Sequence, residues 1–137
     1  MASMTDRTNV VAPVMNFYLN AGSALTQPTQ PLHLRLMTAQ GSNTSNGTEL
    51  SATGYTAGGN TMGSPGFGAS SAGVSASSNA VSWTAGAAWS AVVAVEVWDT
   101  AGTPKRLLQG AITSVTLANG NTLNFATGSV TADGSQW

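Results

Sequence analysis

Few side chains in this sequence can hold a proton, attack a carbon or bind a metal. There is one histidine, His33, together with five carboxylates, four Lys or Arg residues and no cysteine. A Ser-His-acid relay needs a nucleophile raised on a sharp strand-to-helix turn, and no Gly-x-Ser-x-Gly occurs among the many serines. His33 itself lies in the alternating run Leu32-His33-Leu34-Arg35-Leu36, which predicts a strand residue on the solvent face. The carboxylates are Asp6, Glu49, Glu96, Asp99 and Asp133. Glu96 and Asp99 stand nearest in sequence, but an odd spacing on a strand sends them to opposite faces. Glycoside hydrolysis needs two convergent carboxyl groups, and nothing in the spacing supplies them.

Metal binding is equally poor in donors, because His33 plus one carboxylate falls short of the usual clusters. The absence of Cys removes thiolate chemistry and disulfide scaffolds. The stretch Gly63-Ser64-Pro65-Gly66-Phe67-Gly68 lacks the Lys-Ser/Thr of a phosphate-binding loop and reads as an ordinary loop. Asn43-Thr44-Ser45 and Asn46-Gly47-Thr48 match the glycosylation pattern, and the plainer reading is a polar turn. The expectation is a chain that is not an enzyme and has no catalytic, cofactor-binding or metal-binding residues.

Aromatic side chains are the other resource. Of the four tryptophans, Trp83 and Trp98 fall in strand patterns and are expected to pack inside the fold. Trp89, after Gly86-Ala87-Ala88, is expected to anchor a loop to the core. Trp137 lies beyond the last strand pattern, so it either docks on its own domain or inserts into a neighbour. Phe67, in an otherwise small-residue stretch, and Trp137 are the residues expected to contact a partner.

The elements that would carry these side chains read mostly as short strands. Thr5 to Asn20 is the one helix candidate, with Val10, Val14, Phe17 and Tyr18 approximating a face and Pro13 placing its start near Ala12. Leu32 to Thr38 alternates cleanly, Gln40 to Gly47 is a polar loop, and a weak strand is predicted around Tyr55. Gly63 to Asn79 is nearly all Gly, Ser and Ala, predicting a flexible loop with room for an edge strand at Val74. Val81 and Trp83 share a face of the next strand. Val93, Val95 and Val97 share a face of the strongest one, opposite Ala94, Glu96 and Trp98. A turn follows at Asp99 to Pro104, then a strand from Arg106 to Ile112 interrupted by Gly110. Asn119-Gly120 between Val115-Thr116-Leu117 and Thr122-Leu123-Asn124-Phe125 predicts a hairpin, and a last strand starts at Val130-Thr131. The fold class expected is mainly β: a single antiparallel β-sandwich or barrel-like domain over residues 10–137, with a short N-terminal helix and a flexible arm at residues 1–9.

Composition narrows the setting. The 137 residues suit one domain, and a hydrophobic share of 42% allows a sizeable core. Only 7% are charged, against about 25% in an ordinary soluble domain, so Ser, Thr, Asn and Gly must wet the surface. A net charge of −1 offers no basic field for nucleic acid. The longest apolar run, Ala91 to Val95, is far short of a membrane span. Met1 to Arg7 lacks a basic segment followed by a long apolar one, so release by lysis is expected. No nucleic-acid or membrane partner is expected.

The order of motifs resembles a widespread family of small bacteriophage virion proteins of the head-decoration and tail-fibre-like kind. The resemblance rests on Val10 to Asn20, Leu32 to Thr38, Gly47-Thr48-Glu49-Leu50-Ser51, Gly54-Tyr55, Trp89, Val92 to Asp99, Leu107-Leu108-Gln109-Gly110, and Gly120 through Phe125 to Gly128. Tyr55-Thr56-Ala57 and Trp89-Ser90 depart from that family's Tyr-Ala-Arg and Trp-Gly. The resemblance implies a β-sandwich in the virion. The expectation is a capsid decoration (cement) protein on the outside of the head, with a tail or fibre component touching the host surface as the alternative. Its partners would be the major capsid protein or other virion proteins and further copies of itself, clasped by the ends Met1 to Asn9 and Asp133 to Trp137.

Overall fold

The computed structural model describes residues 4–5, 7–19 and 24–134. In chain order the elements are β1 (Met4–Thr5), a π-helical turn (Arg7–Val11), α1 (Ala12–Leu19), β2 (Leu32–Ala39), β3 (Thr48–Glu49), β4 (Asn60–Gly63), β5 (Val74–Ala76), β6 (Val81–Thr84), β7 (Val92–Trp98), β8 (Arg106–Val115), β9 (Thr122–Phe125) and β10 (Thr131–Asp133). The protein is mainly β, antiparallel and sandwich-like, with one short N-terminal α-helix and no closed barrel among the described residues.

The large sheet runs β1-β8-β7-β2-β3, with β4 also on β2. Alternation in β2 sends Leu34 and Leu36 to one face, opposite Val97 and Val95 of β7. β4 pairs the first half of β2 and β3 the second, so two short strands share one edge. Two ribbons, β6–β9 and β5–β10, make the opposing layer. Their Val81 and Trp83, with Val130 beside them, join Leu34, Leu36, Val95 and Val97 in one buried cluster. That burial supplies the driving force that the scarce surface charge does not.

The small-residue stretch is folded more than its composition suggests. Phe67 bridges Ser77, Gly68 N–H donates to the Ala76 carbonyl, and Ser71 and Val74 exchange both backbone hydrogen bonds at 2.8 and 3.0 Å. The two residues between them, Ala72 and Gly73, have φ of 51° and 81°. Positive φ at both central positions matches the right-handed twist of a hairpin, and here an alanine shares the task with glycine.

Four sequence expectations are corrected. Residues 51–59 form turns, and the strand begins at Asn60, so Tyr55 sits in a loop. Gly110 does not interrupt β8; it pairs with Val95 inside a continuous strand. The Asn119-Gly120 signature does reverse the chain, with Asn121 N–H donating to the Ala118 carbonyl, but it makes no hairpin. β9 pairs with β6 instead, setting Leu123 opposite Trp83 and Phe125 opposite Val81. The turn therefore carries the chain from one layer to the other, because burying these side chains against Trp83 outweighs local strand pairing. Finally, Trp98 lies on the outer face of the large sheet, outside the apolar cluster. At the start of β7 a register shift puts Val92 in the core where Val93 was expected. Trp83 and Trp89 do pack in the core.

Candidate interaction surface

The polar residues of the large sheet gather on its outer face. Register places Arg35 beside Glu96 and Glu96 beside Gln109, with Trp98 opposite Arg106. Glu96 and Arg106 are both about 1% exposed and approach to 3.2 Å. Arg106 also donates to the Ser42 and Ser45 carbonyls, each at 2.6 Å, while Glu96 accepts from Gly47 N–H at 2.7 Å and from Trp98 Nε1 at 3.0 Å. The polar loop at 41–47 is thus tied down over the sheet by an ion pair beneath it. A Cβ at Gly41 would overlap the Ser45 carbonyl oxygen and the Arg106 guanidinium, so this close approach requires glycine.

A second group lies alongside. The Arg35 guanidinium covers the Trp98 ring at 4.0 Å and reaches Glu49 at 3.5 Å. Glu49 Oε1 accepts from Tyr55 O–H at 2.6 Å and Gly58 N–H at 2.7 Å. Burial, then the hydrogen bond to Glu49, push the Tyr55 phenol well above its usual pKa of 10.0. His33, expected on the solvent face, is half-buried with Nδ1 3.1 Å from the Gly58 carbonyl. Asp99 accepts from Lys105 N–H at 2.7 Å and closes the β7–β8 turn. Glu96 and Asp99 are therefore held in separate structural bonds. Among the described residues no three His, Asp or Glu side chains gather as a metal site. Each of these groups fastens a loop to a strand.

Three hollows remain. The largest, about 560 Å³, is an open dish over Glu49, Ser51, Thr53, Tyr55 and Ala57. Its carboxylate and phenol are the pair just described. A more apolar hollow of about 340 Å³ is walled by Val10, Leu32, Phe67, Leu107 and Leu108, with Gly134 at its edge. A neighbour of about 270 Å³ shares Val10, Pro28 and Leu107 and continues under α1 past Pro13 and Val14. Phe67 thus packs half-buried against the core and also lines the apolar hollow. Trp137 lies outside the described residues.

Helix α1 adds the feature that the sequence reading missed. No residue of α1 is buried, and Met15, Phe17, Tyr18 and Leu19 are 51%, 44%, 75% and 75% exposed. The face expected from Val14, Phe17 and Tyr18 does form along one stretch, with Phe17 and Tyr18 in edge contact at 5.2 Å, but it turns outward. The signal was available: residues 8–32 contain no charged side chain and no histidine. No described helix is long and apolar enough to cross a membrane, so this is apolar surface of a size to meet protein.

These are features of an interacting structural protein, and the comparison with protein families agrees. A family model described as podophage GP4 fiber I protein gp80 matches residues 8–133, nearly the whole chain. The chain belongs to this family. Membership makes it a bacteriophage virion protein of a fibre-related structural family, as the motif order implied. The fiber I match does not extend to the head-decoration role. No curated protein matches the chain.

Proposed function

We propose that this protein is a structural component of the tail-fibre apparatus of a phage particle. The observation that carries the reading is the fiber I family match over residues 8–133. The molecule supports it physically. Its charged groups are largely spent on fastening loops, and its free surface offers neutral polar loops and the apolar side chains of α1. Such a surface suits contact with other virion proteins and with further copies of itself, through interfaces that added salt weakens little.

Gold labelling of intact particles with an antibody to this chain, combined with its copy number relative to the major capsid protein, tests the proposal. The expected result is label on the tail or its fibres, at far fewer copies than the capsid protein. Label spread over the head at near-capsid copy number would replace the fibre role with decoration of the shell. Absence from purified particles would overturn both.

A further inference from the structure

We propose that the apolar hollow between the β5–β10 ribbon and the N-terminal segment is the docking site of Trp137 from the same chain. The hollow, about 340 Å³, has walls of Val10, Leu32, Phe67 and Leu107, and Gly134 lies on its rim. Gly134 is held there, its N–H donating to the Gly73 carbonyl at 2.9 Å. From that anchor, Ser135 and Gln136 lead to Trp137. Three residues reach about 10 Å at most, which keeps the indole within range of the hollow and of little else that is apolar.

The chemistry of the segment suits the site. Residues 134–137 carry no charged side chain, so entry into an apolar hollow strips water from no ion. An indole brings on the order of 150–250 Å² to bury, and its N–H can stay at the rim beside backbone carbonyls. A tether of three residues holds it at an effective concentration in the millimolar range, well above that of a neighbouring molecule in dilute solution. This is why the same chain, rather than a second copy, is the occupant. Docked there, Trp137 ties the small-residue hairpin to the N-terminal segment across Phe67. The inference is independent of whether the protein sits on a fibre or on the head.

The test uses the full chain labelled with 5-fluorotryptophan, which gives one ¹⁹F resonance for each tryptophan. Trp137→Phe identifies the Trp137 signal, and a soluble paramagnetic agent reads its accessibility. The expected signal is protected several-fold relative to free tryptophan, equally at low and high protein concentration. Ala132 lines the same hollow, so Ala132→Phe should fill it and expose Trp137 while leaving the signals of Trp83, Trp89 and Trp98 in place. Should Ala132→Phe disturb all the signals, deletion of residues 135–137 decides without adding bulk: it is expected to raise binding of an apolar dye several-fold, and unchanged binding would overturn the proposal. A Trp137 as accessible as free tryptophan overturns it too. Protection that appears only with concentration, alongside a doubled mass, assigns the hollow to a second copy instead.

Discussion

The two faces of the large sheet are buried by different means. On the inner face Leu34, Leu36, Val95 and Val97 meet the opposing ribbons through apolar area alone. On the outer face Glu96, Arg106 and Trp98 are just as inaccessible, yet what covers them is a polar loop fastened by hydrogen bonds. Apolar burial is non-directional and tolerates changes of shape at moderate cost. A buried ion pair is directional, and removing one member leaves an uncompensated charge. The inner face therefore sets how stable the fold is, whereas the outer face sets which loop conformation is allowed.

Breaking the outer face should have the largest effect. Arg106→Ala strands Glu96 and two carbonyls, and a loss of about 3–5 kcal/mol is expected, measured by denaturant unfolding. The loop should loosen as well, so the Gly47 amide should lose hydrogen-exchange protection beyond the global decrease. The double variant Glu96→Leu/Arg106→Met should recover part of the loss, because neither charge is then left alone. If the double variant equals the sum of the singles, the ion pair does not work as a unit.

The inner face should yield next. Leu34→Ala removes a fully buried side chain opposite Val97, at an expected cost of about 2–5 kcal/mol. In contrast to Arg106→Ala, exchange protection should fall in proportion across the sheet, with no excess at Gly47. An excess at Gly47 in Leu34→Ala would mean that the two faces are coupled through the strand.

Gly41→Ala comes third and touches only the loop. The added methyl meets the Ser45 carbonyl and the Arg106 side chain, and the strain should cost about 1–3 kcal/mol. It should also shift the Trp98 signal more than that of Trp83, since only Trp98 shares the Glu96 carboxylate.

The contrast also explains what could be read from the sequence. Strict alternation exposes an inner face directly, and β2 and β6 follow it residue by residue. The outer face was hidden because its partners lie far apart in the chain: Arg106 meets carbonyls more than sixty positions away. No local pattern marks a serine carbonyl as the acceptor of a buried guanidinium. Trp98 was misplaced for the same reason, since an indole in a strand reads as core until the Glu96 and Arg35 beside it are seen. Asn119-Gly120 announced a turn correctly and its pairing wrongly, because turn chemistry is local while Trp83 chose the strand. At the candidate surface Phe67 was legible as a large side chain among small ones. The outward face of α1 was not, since the pattern does not say whether an apolar face turns inward.

The smallest effect near neutral pH concerns Tyr55, which sits beside both faces: its ring stacks on core Trp83 at 6.2–6.3 Å from Trp89 and Trp83, while its hydroxyl donates to Glu49 of the outer group. Tyr55→Phe keeps the ring contacts and removes the hydrogen bond, for an expected loss of about 1 kcal/mol. Alkaline pH should enlarge the difference in a defined direction. The folded phenol holds its proton more tightly than the unfolded one, through burial and the neighbouring Glu49 carboxylate, with Arg35 opposing. A raised pKa contributes stability that is complete below the unfolded value of about 10 and fades as pH climbs from there toward the folded value. The wild-type protein should accordingly lose stability above pH 10 more steeply than Tyr55→Phe, the two unfolding curves converging as the phenol ionises. Parallel curves would mean that Tyr55 belongs energetically to the apolar face alone, and that its bond to Glu49 is not part of what holds the outer group together.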